Sequence, residues 1–68
     1  MKQITLQRAR ERCGLTQEQL EEKSGVSQAA ISRIERGEVV DPAWSTVVNL
    51  AEALELDPRE LRFGEAVA

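Results

Sequence analysis

A chain of 68 residues has room for one domain and one modest core, and at this size folding buries only roughly 60% of the surface that the unfolded chain exposes. Hydrophobic residues at 41% and charged residues at 31% are the proportions of a globular protein, and apolar runs of three residues or fewer exclude a membrane span. The net charge of −3 argues at first against a nucleic-acid partner, because affinity for DNA comes from neutralising phosphates with Lys and Arg.

Turn signals at Cys13-Gly14, Ser24-Gly25, Gly37 to Pro42 and Leu56-Asp57-Pro58 divide the chain into five short segments of helical rather than alternating periodicity. Strand signals are absent. The first segment places Leu6, Arg10 and Cys13 on one face with Ala9 beside them, takes Thr5 as N-cap and ends at Gly14. The second opens with Thr16-Gln17-Glu18-Gln19, a capping-box pattern, turns Leu20 inward and closes at Gly25. The third starts at the N-cap Ser27, sends Ile31 and Ile34 inward, leaves Gln28, Ala29, Ser32 and Arg33 on the opposite side and stops at Gly37. The fourth carries Val47, Leu50, Ala51 and Leu54 as a buried stripe. The fifth begins Asp57-Pro58-Arg59-Glu60, with an N-cap, proline at the first helical position and a glutamate at the third, and is anchored by Leu61. With no internal repeat or low-complexity stretch, the reading is an all-α, five-helix domain over residues 1–68.

Charge is divided along this order. Residues 1–36 hold seven basic side chains (Lys2, Arg8, Arg10, Arg12, Lys23, Arg33, Arg36) against five acidic ones, a balance of +2; residues 37–68 hold Arg59 and Arg62 against seven acids, a balance of −5. Such a chain can turn its basic end to DNA and its acidic end away, or carry the charges as an ordinary solvated surface. Arg10 on the apolar face of the first helix and Glu35 at the apolar edge of the third would each be costly alone. Either they form a half-buried ion pair, or both side chains reach outward to water. Cys13, the one cysteine, reads as a small core residue without a redox role. It cannot form an internal disulfide, and without histidine there is no ordinary zinc site. No basic start followed by an apolar run marks a signal peptide, and the expected place is the cytoplasm.

The stretch Gly14-Leu15-Thr16-Gln17-Glu18-Gln19-Leu20, Ser24-Gly25-Val26-Ser27-Gln28 and Ile31-Ser32-Arg33-Ile34-Glu35-Arg36-Gly37 resembles the Cro/repressor (XRE-type) helix-turn-helix family. Pro42, Leu50-Ala51-Glu52-Ala53-Leu54 and Asp57-Pro58-Arg59-Glu60-Leu61 extend the likeness to its later helices. The resemblance implies a lambda-repressor-like DNA-binding domain with its helix-turn-helix at about 16–36. It also implies an Arg10–Glu35 ion pair, since some lambdoid repressors join these two helices in that way. In this motif the second helix lies in the major groove and the first meets the backbone. The recognition helix is then 28–36. Gln28 can form two bonds to adenine and Arg33 two to guanine, Ala29 can touch a thymine methyl, and Ser32 can bond to base edges or phosphate. Phosphate contacts are expected at Thr16 and Gln17, where a helix start presents free N–H groups, and at Ser27 and Arg36. The alternative for each is an ordinary capped and solvated helix.

Two departures from the family pattern stand out. Glu21 replaces a usual alanine, so its side chain must bend outward or the second and third helices must separate. Ala43 replaces a capping serine at the fourth helix, a role that Asp41 is expected to take over. A second apolar stripe, Trp44 and Val48, with Val39 and Val40 in the preceding loop, either joins two copies or caps the monomer core; Phe63 and Val67 can serve either purpose. A two-fold dimer would set recognition helices about 34–36 Å apart and predicts a palindromic site. No histidine, paired inward carboxylates or glycine-rich phosphate loop supports catalysis, and no cofactor or small-molecule substrate is expected. The competing function is an antitoxin or other protein-binding module of the same fold that neutralises a protein partner such as a toxin, for which the acidic second half suits a basic surface. A phage-type repressor, a restriction-modification controller and an antitoxin fit equally.

Overall fold

A computed structural model of the chain describes residues 3–63. Along the chain lie β1 (Ile4–Thr5), α1 (Leu6–Arg12), α2 (Gln17–Ser24), α3 (Gln28–Glu35), α4 (Trp44–Ala53), a 3-10 turn (Pro58–Glu60) and β2 (Leu61–Arg62).

Local chemistry sets most of these boundaries. Thr5 accepts from the Arg8 N–H at 3.3 Å and so caps α1. Thr16 accepts from the Gln19 N–H at 3.1 Å while the Gln19 side chain accepts from the Thr16 N–H at 2.9 Å, a complete capping box on α2. Ser27 accepts from the Ala30 N–H at 3.1 Å on α3. At the far end of α1, the N–H groups of Gly14 and Leu15 return to the carbonyls of Glu11 and Arg10, the paired bonds that close a helix when the next residue is left-handed.

The helices close around Leu6, Leu20, Ile31 and Leu50, which are the largest fully buried side chains, with Ala9, Ala51, Leu54 and Leu61 filling the spaces between. Burying one such leucine or isoleucine contributes about 1.5–3 kcal/mol. Leu20 is the one buried residue of α2 and carries the apolar part of that helix's packing against the core. β1 and β2 pair in parallel, Ile4 with Leu61 and Thr5 with Arg62, and tie the two ends of the described chain together.

Four expectations are corrected here. The described residues hold four α-helices rather than five, because the segment after Asp57 makes a single 3-10 turn. Asp57 and Glu60 do form its capping box, but Leu61 and Arg62 are drawn into extended pairing with β1, which ends the helix before a second turn. The same pairing makes the expectation of no strands wrong. Cys13 is exposed rather than in the core. It caps the end of α1, and the Gly14 turn swings Leu15 against the core in its place. Finally, α4 starts at N-cap Ala43 without any side-chain capping bond, so Asp41 does not take the role of the missing serine.

Candidate nucleic-acid interface

The site is built on α2, the turn Gly25–Ser27 and α3. Gly25 adopts φ +78°, a left-handed conformation that lets the chain reverse in three residues. A Cβ there would meet nothing within 4 Å, so the need for glycine is conformational rather than steric. The Val26 N–H donates to Ser24 Oγ at 3.0 Å, and the buried Val26 side chain pins the turn to the core.

From this turn α3 emerges with two unlike faces. Ile31 and Ile34 are buried; Gln28, Ala29 and Arg33 are exposed, and Ser32 is half-buried at the edge of the same outer face. The four residues assigned to base contacts therefore share one side of one helix. Arg33 has no ion-pair partner among the described residues, so its guanidinium has no salt bridge there to give up before meeting a ligand. Arg36 is different: its Nη2 lies 3.2 Å from Glu38 Oε2, with both side chains more than half exposed. Such a pair is worth about 0–1 kcal/mol, little enough for a phosphate to replace the carboxylate.

Two of the residues assigned to phosphate have their hydroxyls engaged in caps, Thr16 on α2 and Ser27 on α3. Each still has its own hydroxyl proton to donate. By helix geometry the first-turn N–H groups of Gln17 and Glu18 have no acceptor within α2, which leaves a backbone anion site at that end. The Gln17 side chain is used otherwise. Its Nε2 donates to Glu35 Oε1 at 3.0 Å.

Glu35 is the hub beneath this surface. Arg10 Nε donates to its Oε2 at 2.7 Å and Arg10 Nη2 to its Oε1 at 3.1 Å, while Arg10 Nη1 donates to the Leu15 carbonyl at 2.7 Å. The side chains are 13% and 6% exposed. The bond to Glu35 pushes the Arg10 pKa above its ordinary value, against the opposing pull of burial. One carboxylate thus joins α1, the loop after it, the start of α2 and the end of α3. Its bond to Gln17 escaped sequence reasoning, since nothing local in either helix signals a contact between them.

The remaining assigned residues lie apart from this face. Trp44 is 65% exposed and Val40 54%, while Val48 is half-buried and Val39 packs partly against the core. Phe63 also packs against the core, and Lys2 and Val67 lie outside the described residues. Glu21 is half-buried and α2 is in contact with α3, so a long side chain at this position is compatible with the packing of the two helices.

A helix-turn-helix domain model matches residues 4–63. The chain belongs to the helix-turn-helix domain family of the Cro/repressor type. Among solved structures it is similar to the restriction-modification controller protein C.AhdI from Aeromonas hydrophila, with 34% identity, a TM-score of 0.75, and coverage of 81% of this chain and 82% of that one. No curated protein sequence matches it. The helix-turn-helix is α2, the Gly25–Ser27 turn and α3, and it makes the chain a DNA-binding protein of the regulator class. No helix among the described residues is long and apolar enough to cross a membrane.

Proposed function

We propose that this helix-turn-helix protein is a cytoplasmic, sequence-specific regulator of transcription that binds double-stranded DNA as a homodimer on a palindromic operator and acts there as a repressor. The observation that carries this reading is the two-faced α3: Ile31 and Ile34 fix it to the core while Gln28, Ala29, Ser32 and Arg33 stand together on the outer side. In the major groove Gln28 reads adenine and Arg33 guanine through paired bonds, each worth about 1–3 kcal/mol of discrimination. The α2 start, Ser27 and Arg36 hold phosphates on either side and set the register.

Among the described residues Trp44 and Val40 are the two large apolar side chains left most open to water, and with Val48 and the edge of Val39 they form the surface on which a second copy packs. Two-fold pairing repeats the recognition helix about 34–36 Å away, one DNA turn along. Similarity to a restriction-modification controller protein favours a regulator over an antitoxin directed at a toxin.

Selection from a pool of random duplexes tests this reading. Repeated binding and recovery at moderate salt is expected to enrich a palindrome with half-sites one turn apart. A folded protein that enriches nothing, or that binds every duplex equally, would remove the operator reading and turn the search to a protein partner.

A further inference from the structure

We infer that Gln17 is a positioning residue for base recognition, a reading that rests on the DNA-binding role proposed above. Gln17 is the first residue of α2, inside its capping box, and Glu35 is the last of α3, so their bond spans the two ends of the helix pair. It runs at 3.0 Å from an amide N–H to a carboxylate whose side chain is 6% exposed.

The acceptor arithmetic shows what the bond supplies. Glu35 receives two N–H groups from Arg10 and one from Gln17; Arg10 is itself fixed by the Leu15 carbonyl. Removing the amide leaves one lobe of Oε1 without a donor in a place that water reaches poorly. One of the two amide protons is committed inward, which leaves the side chain a single N–H to offer a phosphate. What the helix start offers to phosphate is its backbone N–H groups, and these depend on where α2 sits.

Operator binding requires that the α2 start meet a phosphate while α3 meets base edges. Both contacts can be made together only if the spacing between the two helices is held. Phosphate contact alone tolerates a looser spacing, since phosphates repeat along any duplex. The Gln17–Glu35 bond thus tells in the difference between right and wrong sequences rather than in affinity as such.

Gln17→Met keeps the length of the side chain and every backbone N–H but removes the donor. Wild type and variant are titrated against the selected operator and a scrambled duplex over a range of salt, with thermal unfolding to establish that both are folded. The expected result is that the operator-to-scrambled affinity ratio falls about tenfold, the scale of one lost base contact. Affinity for the scrambled duplex and the slope against salt should stay as in wild type. Gln17→Glu, which sets a second carboxylate against Glu35, should lower the ratio at least as far. Equal losses on both duplexes with a slope shallower by about one would make Gln17 a phosphate ligand and overturn the inference. So would an unchanged ratio. A wild-type protein that does not distinguish the duplexes at all fails in its own arm of the experiment, and there it is the DNA-binding reading that falls.

Discussion

Arg10 and Glu35, 25 residues apart, meet through Nε and Oε2 at 2.7 Å in a setting almost closed to water. Their joint presence is tolerable and the loss of either is not. Arg10→Met strands the carboxylate and should cost about 3–5 kcal/mol. That is comparable with the whole stability of a domain this size, roughly 3–10 kcal/mol. Replacing both, Arg10→Met with Glu35→Leu, should restore most of the loss, because two apolar groups ask nothing of each other electrostatically. Urea unfolding of the four proteins measures this. A double variant that loses the sum of the two single losses would show that the pair is not coupled.

Asp57 gives a dependence on pH. The Arg59 backbone N–H, then the Arg59 side chain, hold its carboxyl below the ordinary value of 3.8. The folded form therefore favours the ionised state, and the stability so gained is present above 3.8 and lost as pH falls through the lower folded value. The stability gap between wild type and Asp57→Ala should be constant from neutral pH down to about 5 and narrow below the unfolded pKa. Chemical unfolding at several pH values would show it. A gap that widens in acid contradicts the assignment.

Glu55 follows α4 in a left-handed conformation, φ 59°, with its own N–H and that of Leu56 returning to Glu52 and Ala51. Glycine makes this conformation freely at the other helix ends, whereas a residue with a Cβ pays roughly 1–2 kcal/mol. Glu55→Gly should raise stability by about 0.5–1 kcal/mol after allowance for the looser unfolded chain. Thermal unfolding should then move upward by a few degrees, about 4–8 °C per kcal/mol for small domains.

Trp44 stands 65% exposed at the first turn of α4. Trp44→Lys should leave the monomer's stability within about 0.5 kcal/mol, as substitutions on an open surface do. Sedimentation should give a dimer for wild type and a monomer for the variant, with operator affinity reduced in step. A variant that remains dimeric would move the interface elsewhere.

Most of what could be read in the sequence lies within a few residues of its cause; the Arg10–Glu35 pair, 25 residues apart, is the exception, marked by two charges at apolar helix faces and by the family resemblance. Thr5, Thr16 with Gln19, Ser27, and Asp57 with Glu60 each act over two or three positions, and their pattern shows directly in the order of residues. The outer face of α3 was legible because helical spacing alone separates Arg33 from Ile31 and Ile34. What escaped depends on distant partners. A two-residue strand has no periodicity to notice, and Ile4 pairs with Leu61 only once the core has formed. That pairing also shortened the fifth helix. Cys13 continues the stripe of Leu6 and Arg10 on paper, yet the helix ends there and Leu15 takes the inward place. The Gln17–Glu35 bond joins two helices whose approach no local pattern specifies.

The central claim, that α3 reads bases while its surroundings hold phosphates, is tested most directly by comparing Arg33→Ala with Arg36→Ala on the selected operator and its single-position variants. Arg33→Ala should lose about 1–3 kcal/mol on the operator and cease to distinguish bases at one position of each half-site, while Arg36→Ala should weaken all duplexes alike and make the salt slope shallower by about one. If both variants lose the same factor on every duplex, neither residue reads sequence, and α3 is not the recognition helix.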